Sequence, residues 1–190
     1  MDSAPLSRKL WIRSAAPAPG RLLMLACLLA AGAGTARADD PCAGFKWDVS
    51  KEHALFGLEA RSQSAGKDRS TAPRVVPNRL YELKLLPQEL VAFAAPPGSK
   101  VRSEGTYAGL VSLTAPAAGS YRISVDMPLW IDVVLKGALV PPTDYAGQRD
   151  CRAPHKIVVF PLDGKETVLL QLSGAGEATV RLTVTRVSTG

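Results

Sequence analysis

The feature that most constrains this chain is a period of two in its hydrophobicity, which sets in after Pro77 and recurs in short runs as far as Thr185. Tyr81, Leu83 and Leu85 alternate with Glu82 and Lys84, Val91, Phe93 and Ala95 continue the spacing, and Tyr107 to Thr114 forms a third run closed by Pro116. Tyr121 to Val125, Leu129 to Leu135, Val168 to Leu172 and Thr179 to Thr185 follow, while Lys156 to Phe160 is apolar on both faces, as a central strand is. Successive side chains of a strand leave on opposite faces, so each run has one face to bury. Gly- and Pro-bearing turns separate the runs. The pattern predicts a mainly β protein: an antiparallel β-sandwich or jelly roll of about eight strands.

Two hairpins can be placed in register, because a slip of one residue would turn polar side chains into the core. Leu172 opposite Val180, Leu170 opposite Leu182 and Val168 opposite Val184 brings the apolar faces together. Around Pro128, Val125 opposite Ile131 and Ile123 opposite Val133 does the same, and gathers Ser124, Asp126, Trp130 and Asp132 on the other face. Ahead of the strands, Asp48 to Leu58 reads as one short helix, capped by Asp48 or Ser50, with Val49, Leu55 and Phe56 on one side. Residues 61 to 74 have no apolar period and read as a loop or linker. The expected division is a cleaved segment at 1–38, a helix and linker at 39–75 and the sandwich at 76–190.

The first 38 residues have the make-up of an export signal. A basic stretch ends at Arg21, an apolar stretch runs from Leu22 to Ala33, and Ala36-Arg37-Ala38 offers small residues at the cleavage-specifying positions. Cleavage is expected after Ala38. The apolar stretch is shorter than the roughly 20 residues a spanning helix needs, so no membrane span is expected in the mature chain. The net charge of +6 also belongs largely to this segment, which holds five cations and one anion. Residues 39–190 keep only +2, dispersed and without basic runs interleaved with aromatics, so a nucleic-acid partner is not expected. The expected location is periplasmic or secreted.

Cleavage removes Cys27 and leaves Cys42 and Cys151. In an oxidising compartment two cysteines allow a single intramolecular bridge, and these lack the C-x-x-C spacing of a redox or metal pair. A disulfide between them is expected.

Candidate chemistry is sparse. Trp130 beside Asp126 and Asp132 is a candidate stacking platform for a sugar ring or a cation, with the acids orienting hydroxyls; the competing reading is that Trp130 only packs. The bridge would also bring the two histidines, His53 and His155, into one neighbourhood. With Asp132, Asp144 or Asp150 they would complete the ligand list of a non-haem iron site, although no H-x-H, H-x-E or H-E-x-x-H spacing is present. The segment from Asp144 to Lys156, carrying Tyr145, Arg149, Arg152, His155 and Lys156, is a third candidate, of cationic balance. No G-x-S-x-G and no Gly-rich phosphate loop occurs, so no catalytic residue and no cofactor is expected.

The runs Gly119-Ser120-Tyr121-Arg122-Ile123-Ser124-Val125 and Trp130-Ile131-Asp132-Val133-Val134, with Cys151, His155-Lys156 and Leu170-Gln171-Leu172-Ser173-Gly174, resemble a group of small exported proteobacterial proteins of unknown function. Some members of that group are named homogentisate dioxygenase. The resemblance covers most of residues 39–190, and residues 119 to 187 are also similar in strand pattern to the pre-peptidase C-terminal β-sandwich, an accessory module of secreted enzymes. Neither resemblance carries a catalytic residue over. Two functional expectations result. One is a non-catalytic binding or accessory module for a glycan, a small ligand or another envelope protein, using Trp130, Asp132, Asp126, His155, Lys156 and Arg152; the other is a small metal-dependent, dioxygenase-like enzyme using His53 and His155.

Overall fold

The computed structural model describes residues 41–99, 104–151 and 153–187, so the expected export segment with its expected cleavage point, and Arg152, lie outside the described residues. The described chain forms two facing β-sheets, as the alternation requires. The first contains β1 (Arg61–Ser64), β3 (Leu80–Lys84), β6 (Gly119–Val125), β9 (Asp144–Gly147), β10 (Lys156–Leu162) and β12 (Thr179–Arg186), in the order β1-β3-β12-β6-β10-β9. The second contains β2 (Arg74–Val75), β5 (Tyr107–Thr114), β7 (Trp130–Leu135), β8 (Ala138–Val140) and β11 (Thr167–Ala175), in the order β2-β5-β11-β7-β8, and the short β4 (Leu86–Pro87) also pairs with β5. Pairing is antiparallel except for β1 with β3 and β2 with β5. No helix among the described residues is long and apolar enough to cross a membrane.

The inner faces make one core. Tyr121, Ile123 and Val125 of β6 and Val180, Leu182 and Val184 of β12 meet Ile131 and Val133 of β7 and Val168, Leu170 and Leu172 of β11. Each is at most 4% exposed, so each contributes about 1.5 to 3 kcal/mol of hydrophobic stabilisation relative to an exposed side chain.

These residues do bury together, but the two expected hairpins do not exist. β11 pairs with β5 and β7, whereas β12 pairs with β3 and β6. The connection from β11 to β12 therefore crosses from one sheet to the other, and so does the one from β6 to β7. Alternation specifies which face of a strand is buried and says nothing about whether the matching apolar strip lies beside it or across the core. Two further expectations are corrected. The reach from 61 to 74 contributes β1 and β2, whose two to four residues are too few to show a period. Residues Val91 to Ala95 are not a strand; they lie over the outer face of the second sheet.

Both outer faces carry a cover. The helix α1 (Ser50–Phe56) lies within the predicted Asp48 to Leu58 and packs against β12. The N-cap position is taken by Val49 and has no side-chain cap, so neither Asp48 nor Ser50 plays the expected capping role; Asp48 Oδ1 instead accepts from the Ser50 backbone N–H at 2.9 Å, one residue ahead of the cap. Glu52 is 1% exposed; it accepts from the Thr185 hydroxyl and pairs with Arg122 at 3.3 Å, so the helix is held to the sheet by a buried charge with partners. Over the second sheet, Val91 and Ala95 form a smaller core with Ala108, Leu110, Val134 and Leu169. Beneath them lies Gln171, fully buried, whose side-chain oxygen accepts from the N–H groups of Ala94 (2.6 Å) and Ala95 (3.0 Å) while its amide donates to Ala95 O (3.1 Å).

Cys42 and Cys151 are bonded, with Cα atoms 4.9 Å apart across a sequence separation of 109. The bridge joins the segment leading into α1 to the loop leading into β10.

Candidate functional site

Trp130 opens β7 and is half-buried; Asp132, two residues on, is 7% exposed. Both belong to the outer face, since Ile131 and Val133 between and after them face the core. Both carboxylate oxygens of Asp132 are engaged in holding its surroundings. Oδ1 accepts from Trp130 Nε1 at 2.9 Å and Oδ2 from the Gly98 backbone N–H at 3.1 Å. A Cβ at Gly98 would stand 2.8 Å from Asp132 Oδ1, so only glycine lets the covering segment approach this closely. In the ladder Asp132 is the direct neighbour of Gln171. The two buried polar side chains act together, one holding Ala94 and Ala95, the other Gly98 and the indole.

Lys156 and Tyr145 reach the same place from the first sheet. Tyr145 of β9 stands opposite Val158 of β10, and Lys156 is two residues before Val158, so all three share a face. Lys156 Nζ lies 5.0 Å from the Trp130 ring centroid and donates to Leu129 O at 2.8 Å. Burial lowers the Lys156 pKa below the ordinary 10.5, with the negative charge of Asp132 acting in the opposite direction. Tyr145 is 70% exposed. Trp130, Ile131, Asp132, Pro142, Tyr145, Lys156 and Val158 line a cleft of about 330 Å³, within the range of small-ligand pockets. It sits at the edge of the sandwich where the β8 to β9 connection passes from the second sheet to the first.

The expected cluster is thus only partly assembled. Trp130, Asp132 and Lys156 are together, but Asp132 orients the indole and has little left for ligand hydroxyls. Asp126 is elsewhere, because β6 and β7 belong to different sheets. Its carboxylate accepts from the Arg181 backbone N–H (2.9 Å) and Nε (3.0 Å). With Arg149, His155 and Glu177 it lines a separate cleft of about 300 Å³.

His53 Nδ1 is 2.8 Å from Ala153 O, so α1 meets the 151–155 loop beside the disulfide, while His155 lines the Asp126 cleft and also a shallower one shared with Tyr145 and Lys156. Asp144 pairs with Lys46. Among the described residues no three His, Cys, Asp or Glu side chains are grouped so as to hold a metal ion. Sequence reasoning missed Gln171 and Gly98; a Gln inside Leu169-Leu170-Gln171-Leu172, at an outward position of an otherwise apolar run, was the available signal.

Fold and cleft together define a class: a two-sheet β-sandwich with a covered outer face and a lateral cleft of two aromatic rings and one partly desolvated lysine. The chain matches no protein-family model, and comparison with curated proteins gives no match.

Proposed function

We propose that this protein is an exported, periplasmic binding or accessory module without catalysis of its own, and that the cleft of Trp130, Tyr145 and Lys156 takes a small ring-bearing ligand, a sugar foremost. The observation that carries this reading is the pinned indole. A half-buried Trp130, held by the buried Asp132 and flanked by the exposed Tyr145, is the arrangement a stacking platform needs, because its orientation is settled before the ligand arrives. Lys156 adds donors for hydroxyl or carboxylate oxygens, in surroundings of reduced polarity. The resemblance to accessory sandwiches of secreted enzymes points the same way.

The test is a screen of glycans and small ring-bearing metabolites by calorimetry, repeated with Trp130→Ala and Tyr145→Ala. Trp130→Ala should lower stability by about 2 kcal/mol, less than the ~3 to 5 kcal/mol of a fully buried aromatic, and should abolish binding of any hit. A loss at the top of that range, or a hit that binds the variant equally well, would overturn the platform. Export is checked by intact mass: the mature chain should begin at Asp39, and material retaining Leu22 to Ala33 would contradict it.

A further inference from the structure

At the opposite edge of the two sheets, β1 and β2 lie close enough to share a groove of about 590 Å³, lined by Arg61, Gln63, Arg74 and Arg79 with Pro73, Val76 and Tyr81. None of its lining residues is acidic. Among the described residues the ion pairs are Lys46 with Asp144, Arg122 with Glu52, Lys136 with Glu166 and Arg181 with Asp126, so the three groove arginines have no carboxylate partner. Three cations in one groove is a large concentration for residues 39–190, whose net charge is only +2.

A second, independent observation comes from Gln63. Its Nε2 is shut off from solvent and has no hydrogen-bond partner, an arrangement that leaves the desolvation of a buried donor uncompensated. Register explains its position: Arg61 stands beside Tyr81 and Gln63 beside Leu83, so both share the inward face of the first sheet's edge. Tyr81 keeps its own hydroxyl occupied by accepting from the Val76 N–H at 3.0 Å, which ties the β2 side of the groove to β3.

An inward-facing charge on an edge strand also discourages pairing with another chain, which would account for Arg61. It does not account for the arrival of Arg74 from β2 and Arg79 from the turn before β3, nor for an orphaned amide at the same place. We propose that this groove is a binding site for a ligand carrying two or more oxyanion groups of phosphate type. Guanidinium forks match such groups in pairs of hydrogen bonds, and a ligand with at least two of them neutralises the mutual repulsion of the arginines. The Gln63 amide supplies a neutral donor to the same ligand.

Calorimetric titration of the folded mature protein tests this with inorganic pyrophosphate, inorganic phosphate, and vesicles of phosphatidylethanolamine prepared with and without phosphatidylglycerol. Saturable binding of pyrophosphate, tighter than phosphate and weakened by salt, assigns a free oxyanion; binding only to the phosphatidylglycerol vesicles assigns a lipid headgroup as source of the same chemistry. In either case Arg61→Gln or Arg74→Gln should weaken binding about tenfold or more, as loss of a charged hydrogen bond does. Gln63→Leu should weaken it while leaving the melting temperature unchanged or higher. Lys51→Gln, which removes an equal charge from α1, should leave it unaltered. Absence of binding to every probe, or an equal loss in the Lys51 variant, would overturn the site.

Discussion

Replacing Gln171 with leucine should detach the covering segment from the second sheet with little change in side-chain volume. The substitution removes the partners of two backbone groups of the 7%-exposed Ala95 and of the Ala94 N–H. A buried polar group left unpaired costs about 1 to 3 kcal/mol, so the two Ala95 groups account for about 2 to 6 kcal/mol. The leucine returns about 1 to 2 kcal/mol through added apolar burial, leaving a net loss near 3 kcal/mol. Urea unfolding followed by circular dichroism measures the global change, and amide hydrogen exchange at Ala94 and Ala95 shows whether the segment opens locally first. Opening would also release Gly98 from Asp132 and loosen the indole, so affinity at the Trp130 cleft should fall although Gln171 does not line it. A stability change below about 0.5 kcal/mol, the size of an ordinary surface substitution, with unchanged exchange at both alanines, would refute the clamp.

Two other perturbations have signs that follow from the structure. Burial lowers the Lys156 pKa, so between that lowered value and 10.5 the folded state binds fewer protons than the unfolded one and stability attributable to this group rises with pH. Lys156→Met should therefore be stabilising at neutral pH, and its advantage should shrink as pH is raised towards 10.5; an advantage that grows with pH would contradict the assignment. Replacing Cys42 and Cys151 together by serine opens a loop of 109 residues, which in the chain-entropy account should cost about 4 to 5 kcal/mol by urea unfolding. Denatured wild-type protein prepared without reductant should show no free thiol from this pair, and two labelled sulfhydryls per chain would show that the bridge does not form.

Much of the sandwich was legible because alternation is a direct record of burial. The runs from Tyr121 to Val125, from Val168 to Leu172 and from Val180 to Val184 put their apolar members into the core as expected. The neighbours of each strand were not legible. Val180, Leu182 and Val184 satisfy their burial equally well beside Leu170 or facing it, and nothing in the period separates those cases. Val91 to Ala95 shows the other limit: Val91 and Ala95 are buried against the sheet, but the N–H groups of Ala94 and Ala95 bond to a glutamine side chain and that of Ala92 to Lys67 O, in place of a ladder. The candidate site suffered from the same ambiguity, since placing Asp126 beside Trp130 assumed the hairpin. Lys156 was found through its loop, whereas its position over the indole depends on two sheets meeting at an edge.

The order of strands has a consequence for how the chain is completed during synthesis. The last two strands in sequence are not at the periphery: β11 lies between β5 and β7, and β12 between β3 and β6. A growing chain that has reached Leu162 therefore holds, in each sheet, two separated flanks with a gap where the middle strand belongs. Both sheets remain open at their centres until residues 167–186 emerge. Loss of residues 167–186 would remove the central strand of each sheet, so the non-local pairings that complete the fold wait for nearly the whole chain.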